Sequence, residues 1–191
     1  MDAGDYMNLQ HNLAEWIACL FKEQSDSEVE RALIVYGIEI FLNEFLKLLF
    51  VLFIALLTGE LKIAILDTTY LLLARRYSGG KHFESNVMCT LFTVFTAFVG
   101  PLLAVKVDMP LWFQICAGVV ETCLIFVFVP YVEESKILDN RQRQKRKAAA
   151  CFLLWIFVII ARLLGGAAFV NGILFVEMIV ILAVLDFKRY E

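Results

Sequence analysis

Six long apolar stretches run along the chain, separated by short polar ones, at about 32–57, 61–76, 87–105, 110–130, 149–165 and 168–187. Each is close to the length that a hydrocarbon layer of about 30 Å demands of a helix, so the pattern predicts about six transmembrane helices. The weakest is 61–76, which is short and carries Asp67. Gly165-Gly166 and Asn171-Gly172 separate the last two, as either a tight turn or a kink. Ser27-x-x-Glu30 supplies a capping box ahead of the first span. Further upstream, Leu9, Leu13, Trp16, Ile17, Leu20 and Phe21 fall on one face of a helix. That stripe suits a helix lying at the membrane interface or one packed on the rest of the protein. Residues 1–8 carry Asp2 and Asp5 and no basic segment, so no signal peptide is read there. The predicted fold is an all-α polytopic membrane protein, a single integral-membrane domain over 1–191 with 1–26 as its amphipathic N-terminal segment.

Composition strengthens this reading. The chain is 61% hydrophobic and 19% charged, with mean hydropathy +0.75. Soluble domains run at about 45–50% and 25%, so lipid must solvate part of this one. Disorder and a disulfide-stapled secreted domain are excluded. A net charge of −3 gives no reason to expect nucleic acid. The five cysteines, at 19, 89, 116, 123 and 151, show no CxxC or zinc-like spacing, so neither a metal nor any other cofactor is called for.

The cations set the orientation. Six spans place Lys22, Arg31, Arg75, Arg76, Lys81, Lys136, Arg141, Arg143, Lys145, Arg146, Lys147, Lys188 and Arg189 on one side, thirteen of the seventeen. Lys62 and Lys106 fall on the other; Lys47 and Arg162 lie within spans. By the positive-inside rule, both termini and the loop after the second span are cytoplasmic, in a multi-pass cell-membrane protein. No internal repeat is visible, which weakens an inverted-repeat transporter reading.

Candidate chemistry lies in that loop, Arg75-Arg-Tyr-Ser-Gly-Gly-Lys-His-Phe-Glu-Ser-Asn-Val-Met-Cys89. An imidazole near a thiol can take its proton and later protonate a leaving amine. In one straight helix, seven residues separate His82 from Cys89 by about 10 Å, so the two meet only across a bend. Gly79 and Gly80 provide one, and Ser85 and Asn86 are good N-caps for the next helix. With Asn86 as the cap, Cys89 is the third helical residue, where the helix dipole favours a thiolate and backbone N–H groups can hold an oxyanion. The bland alternative is a small buried hydrophobe and a solvated loop histidine. His11 and Cys19, eight apart with no breaker between them, cannot touch. Glu84, Ser85 and Asn86 are nearest to orient the imidazole, and nothing chooses among them.

The run Arg75-Arg76…Gly80-Lys81-His82…Cys89 resembles the signature of the accessory gene regulator protein B family, membrane endopeptidases of Gram-positive quorum sensing. Length, span number, amphipathic N-terminus and the basic segment before the fifth span resemble it too. The resemblance implies a cysteine endopeptidase, with Cys89 as nucleophile and His82 as base and acid. Arg75 and Arg76 would contact headgroups or substrate. The implied substrate is a propeptide with an amphipathic leader, a core holding a cysteine or serine, and an acidic tail. Cys89 would release the tail and keep the core as a thioester, which the core's own nucleophile closes to a thiolactone or lactone. Other implied partners are membrane lipid and a second copy of the chain.

Seven ionisable residues lie within spans: Glu39, Glu44, Lys47, Asp67, Glu121, Arg162 and Glu177. They are costly in lipid and need partners or cavities. Glu44 suits Lys47 three residues on, and Arg162 suits Glu177, Glu121 or Asp67. Such buried acids also sustain the alternative of a small-molecule or peptide transporter, which has no need of a poised His/Cys pair. The basic run Arg141–Lys147 is either a lipid anchor or a dock for an acidic peptide. The charge asymmetry yields the first test. In a cysteine-free background, single cysteines at Gly80 and Arg143 are expected to resist a membrane-impermeant maleimide on intact cells, and one at Val107 to react. The reverse pattern would overturn the orientation.

Overall fold

A computed structural model describes residues 12–19, 28–79, 86–130 and 139–188. Those residues are helical apart from turns, with no strand among them. The helices are α1 (12–19), α2 (Glu28–Thr58), α3 (Leu61–Ser78), α4 (Asn86–Val94), α5 (Gly100–Ala104), α6 (Leu111–Phe128), α7 (Asn140–Gly165) and α8 (Ala167–Lys188). The chain forms two compact units, Met1–Phe50 and Val51–Glu191.

Among the described residues, four helices are long and apolar enough to cross a membrane: Val29–Thr58, Leu111–Phe128, Asn140–Gly165 and Ala167–Val184. The other two predicted spans are helical as well. Met88–Ala104 is shorter, and Leu61–Ser78 carries Asp67, Thr68 and Thr69 together with Arg75 and Arg76. The turn between the last two spans falls at Gly166, with φ +74°, whereas Asn171-Gly172 lies inside α8.

In the first unit, α1 packs on α2 through Ala14 and Ala18, which meet Val35. Leu13 and Trp16 of the apolar stripe are exposed, so the small side chains form the packed face and the large ones point outward. Leu9, Leu20, Phe21 and Ser27 lie outside the described residues. Lys47 donates to Glu44 at 2.8 Å, the pairing that their spacing suggests.

In the second unit α8 is the central helix. In its apolar window 56% of the residues are buried, against 17–22% in the other three candidate spans. It packs against α3, α5, α6 and α7. Two buried polar side chains bind it to its neighbours. Tyr70 of α3 donates its hydroxyl to Glu177 Oε2 at 2.6 Å. Asn171 Nδ2 donates to the carbonyls of Ala104 (3.3 Å) and Val107 (2.6 Å), while its Oδ1 accepts from Gln114 Nε2 at 2.7 Å. Gln114 also donates to Ala167 O at 2.8 Å. One asparagine thus joins the end of α5, the following turn and α6 to α8.

Residues 86–104 form one unbroken helix with a π-helical segment, Phe95–Val99, in its middle. Pro101 explains it. Proline has no N–H for the Ala97 carbonyl, and its ring crowds the carbonyl four residues back. A wider turn, with the Gly100 N–H donating to Phe95 O, relieves that crowding. Gly100 also lies so close to the Phe175 ring of α8 that a Cβ there would overlap it.

Tyr70→Phe deletes one hydroxyl with little change of shape, and is expected to lower stability by about 1–2 kcal/mol. Reversible unfolding in bicelles measures this. The double variant Tyr70→Phe/Glu177→Met should cost less than the sum of the singles, because the two share one bond.

Candidate active site

Arg75 and Gly79 mark one side of the candidate site and Asn86 and Cys89 the other. Gly80, Lys81, His82, Glu84 and Ser85 lie between them, outside the described residues, so the separation of His82 from Cys89 is not part of the described geometry. α3 ends at Gly79, whose φ of +78° lies in the left-handed region that a residue with a Cβ rarely adopts. Its N–H donates to Arg75 O at 3.0 Å, closing the last turn. Arg75 and Arg76 sit in that turn, where cations complement the negative end of the helix dipole.

Asn86 is helical and is the first described residue of α4, so it is not the cap. Cys89 is the fourth described residue of that helix. The thiol lies in the first described turn, toward the positive end of the helix. The Cα–Cβ bond of a helical residue tilts toward its N-terminus, which here means toward residues 80–85. Cys89 is 3% exposed and is the one buried thiol of the five; none is in a disulfide. Its carbonyl accepts a bond from the Thr93 hydroxyl at 2.8 Å.

The guanidinium of Arg75 lies 5.7 Å from the centroid of the Phe92 ring, a cation–π contact between the end of α3 and the helix that carries Cys89. The sequence suggests headgroups or substrate for Arg75, and reasoning from it does not find Phe92. The contact joins residues seventeen positions apart on two helices, and no periodicity reports that. Arg76 is exposed. Ser78 is fully buried, and its hydroxyl has no hydrogen-bond partner among the described residues.

The basic run is not a loop. Arg141–Lys147 forms the first turns of α7, which continues as an apolar span. Asn140, Arg143, Gln144 and Lys147 fall on one face and line a cavity of about 320 Å³ against Val127–Pro130. Lys147 Nζ donates to the Phe126 carbonyl. That carbonyl would otherwise await the N–H of residue 130, which is a proline and has none.

Asp67, Glu121 and Glu177 are each 1% exposed, and each keeps one oxygen without a hydrogen-bond partner. Arg162 does not meet them. It is exposed in the last turn of α7, beside a groove, and forms no ion pair among the described residues. Near the end of its helix a long side chain reaches the polar interface, so no buried acid has to draw it inward. Among the described residues no group of three His, Cys, Asp or Glu side chains is placed to hold a metal ion.

These features define a helical integral-membrane protein with a single buried cysteine at the start of one helix. The chain belongs to the Accessory gene regulator B family, whose model matches residues 11–186. It is 26% identical over 153 residues to "Accessory gene regulator protein B" of Staphylococcus carnosus, covering 80% of each chain. It is 28% identical to a "Putative AgrB-like protein" of Halalkalibacterium halodurans, over 85% of this chain and 80% of that one. A "Putative AgrB-like protein" of Lactiplantibacillus plantarum is 28% identical over 94% of both. No solved structure matches the chain. Membership of the family supports a role in processing agr quorum-sensing peptides.

The Arg75–Phe92 contact holds the start of α4. Cation–π contacts are worth about 0.5–1 kcal/mol, so Arg75→Ala is expected to raise the alkylation rate of Cys89 by about two- to fivefold in a background lacking the other cysteines. Arg75→Lys, which keeps a cation, should fall between. Alkylation no faster in Arg75→Ala than in the parent would show that the contact does not restrain the helix.

Proposed function

We propose that the chain is a membrane cysteine endopeptidase that removes the C-terminal tail of a quorum-sensing propeptide, with Cys89 as nucleophile and His82 as base and acid. The observation that carries this reading is the position of Cys89, in the first turn of α4 directly after the segment that holds His82. The positive end of a helix favours a thiolate, and first-turn N–H groups that have no helical partner are donors for an oxyanion.

The reaction runs in two steps. The Cys89 thiolate attacks the carbonyl carbon after the core, with its proton on His82. The C–N bond breaks, the imidazolium gives its proton to the departing amine, and the core remains as a thioester. A thiol or hydroxyl of the core then attacks that thioester, losing its proton to His82, and the Cys89 thiolate leaves as the ring closes. The thioester retains the activation of the acyl group, so no ATP is needed. A propeptide with an amphipathic leader lies on the same membrane as the enzyme, which reduces the entropic cost of encounter.

The basic face of α7 would hold the acidic tail. Arg143 lines the cavity at the start of α7, and both that helix start and the first turn of α4 lie on the cytoplasmic side in the positive-inside reading. The transporter reading is favoured by one observation, the buried Asp67, Glu121 and Glu177, but gives Cys89 no task.

The test uses a tagged propeptide of this design, expressed with the full chain in membranes. Cys89→Ala, Cys89→Ser and His82→Ala are expected to abolish tail release while the chain stays in the membrane. Replacing Cys19, Cys116, Cys123 and Cys151 together should preserve activity. Tail release at the parent rate in Cys89→Ala would overturn the assignment and leave transport as the better reading.

A further inference from the structure

We propose that the groove between α6 and α7 seats one anionic phospholipid, with an acyl chain along α7 and its phosphate on Arg162. The groove has a volume of about 220 Å³ and is lined by apolar side chains of both helices, with Val170 of α8 at its floor. Ile159 and Leu163 on its rim are 57% and 81% exposed, so in a membrane it opens to hydrocarbon. An apolar depression facing lipid is filled most readily by an acyl chain.

Charge selects the headgroup. Arg162 is the one cation lining the groove, it sits in the last turn of α7, and no described carboxylate neutralises it. A cation at the edge of hydrocarbon is costly unless water or an anion meets it. The guanidinium fork matches a phosphate in two parallel hydrogen bonds. A choline headgroup adds a positive charge to its phosphate, whereas a glycerol headgroup leaves the phosphate charge uncompensated.

The lengths agree with this orientation. Trp155 lines the same groove seven residues before Arg162, which places it about 10 Å deeper along the helix axis. A lipid whose phosphate rests on Arg162 therefore runs its chain past the Trp155 ring. That ring is fixed, since its Nε1–H donates to Thr122 Oγ1 at 3.1 Å. Gln114 also lines the groove, but its amide nitrogen is already engaged by Asn171 and Ala167, so it does not compete for the headgroup.

The indole is a built-in reporter. Trp16→Phe/Trp112→Phe leaves Trp155 as the only tryptophan of the three. That full-length chain is reconstituted in phosphatidylcholine vesicles holding equal small fractions of chain-brominated phosphatidylglycerol or chain-brominated phosphatidylcholine. The anionic lipid should quench Trp155 with an apparent affinity about fivefold higher, the ratio given by roughly 1 kcal/mol per cation at an anionic surface. In Arg162→Gln the preference should vanish while quenching by both lipids persists; in Arg162→Lys it should be retained in part. Equal quenching by the two lipids in the parent chain would overturn the proposal, as would a preference unchanged in Arg162→Gln. Little quenching by either lipid would mean that protein fills the groove, most simply a second copy of the chain, and would overturn it too. The first comparison needs no change at Arg162, so the test does not depend on how that variant folds.

Discussion

Hydrocarbon offers no hydrogen bonds, and the architecture of residues 51–191 follows from that one fact. A helix satisfies its own backbone in lipid, but every polar side chain or broken turn carried inward must find a partner within the protein. Here the partners converge on α8. Asn171 donates to the carbonyls of Ala104 and Val107 where α5 ends, beside the Val107 and Met109 N–H groups that they also accept, and Glu177 accepts from the Tyr70 hydroxyl. The central position of α8 is therefore as much a matter of polar supply as of apolar packing. Its polar residues lie where neighbouring helices and turns present hydrogen-bonding groups to it.

This arrangement places the candidate active site without any direct contact to it. The helix that carries Cys89 is held at its far end by Asn171, in its middle by Phe175 against Phe95 and Gly100, and near its start by Arg75 on Phe92. α3, whose end supplies Arg75, is held in turn by Tyr70 on Glu177. The end of α3 and the start of the helix that carries Cys89 are thus each fixed elsewhere. The Cys89 thiol is thereby held in place by packing on its own helix.

Much of this was readable from residue order, and the failures have definite causes. Helix boundaries agree within about two residues for α3 and α6, because Gly79, Pro110 and Pro130 interrupt the apolar runs there. The start of α7 lies nine residues ahead of the apolar run, since hydropathy marks where lipid begins and not where a helix does. Leu13 and Trp16 of the stripe are exposed and Ile17 is half-buried, because Ala14 and Ala18 allow a closer approach to α2 than bulky residues would. Of the two stretches outside the four clear cases, 61–76 was already the weakest by hydropathy, and α3 carries Asp67, Thr68, Thr69, Arg75 and Arg76. At the site, Asn86, read from the sequence as a cap, is already helical, and Ser85 lies outside the described residues. The Arg75–Phe92 contact was not legible, because it depends on how two helices meet.

The π turn at Phe95–Val99 has a consequence for the site six residues upstream. One extra residue in a helix rotates everything beyond it by about 100° about the axis. The far end of this helix is keyed to Asn171, so the bulge acts as a fixed phase offset between that key and the thiol. Were residues 95–99 regular α-helix with one residue fewer, Cys89 would face another quarter of the compass while every anchor downstream stayed in place. The azimuth of the Cys89 thiol is thus tied to a proline twelve positions away.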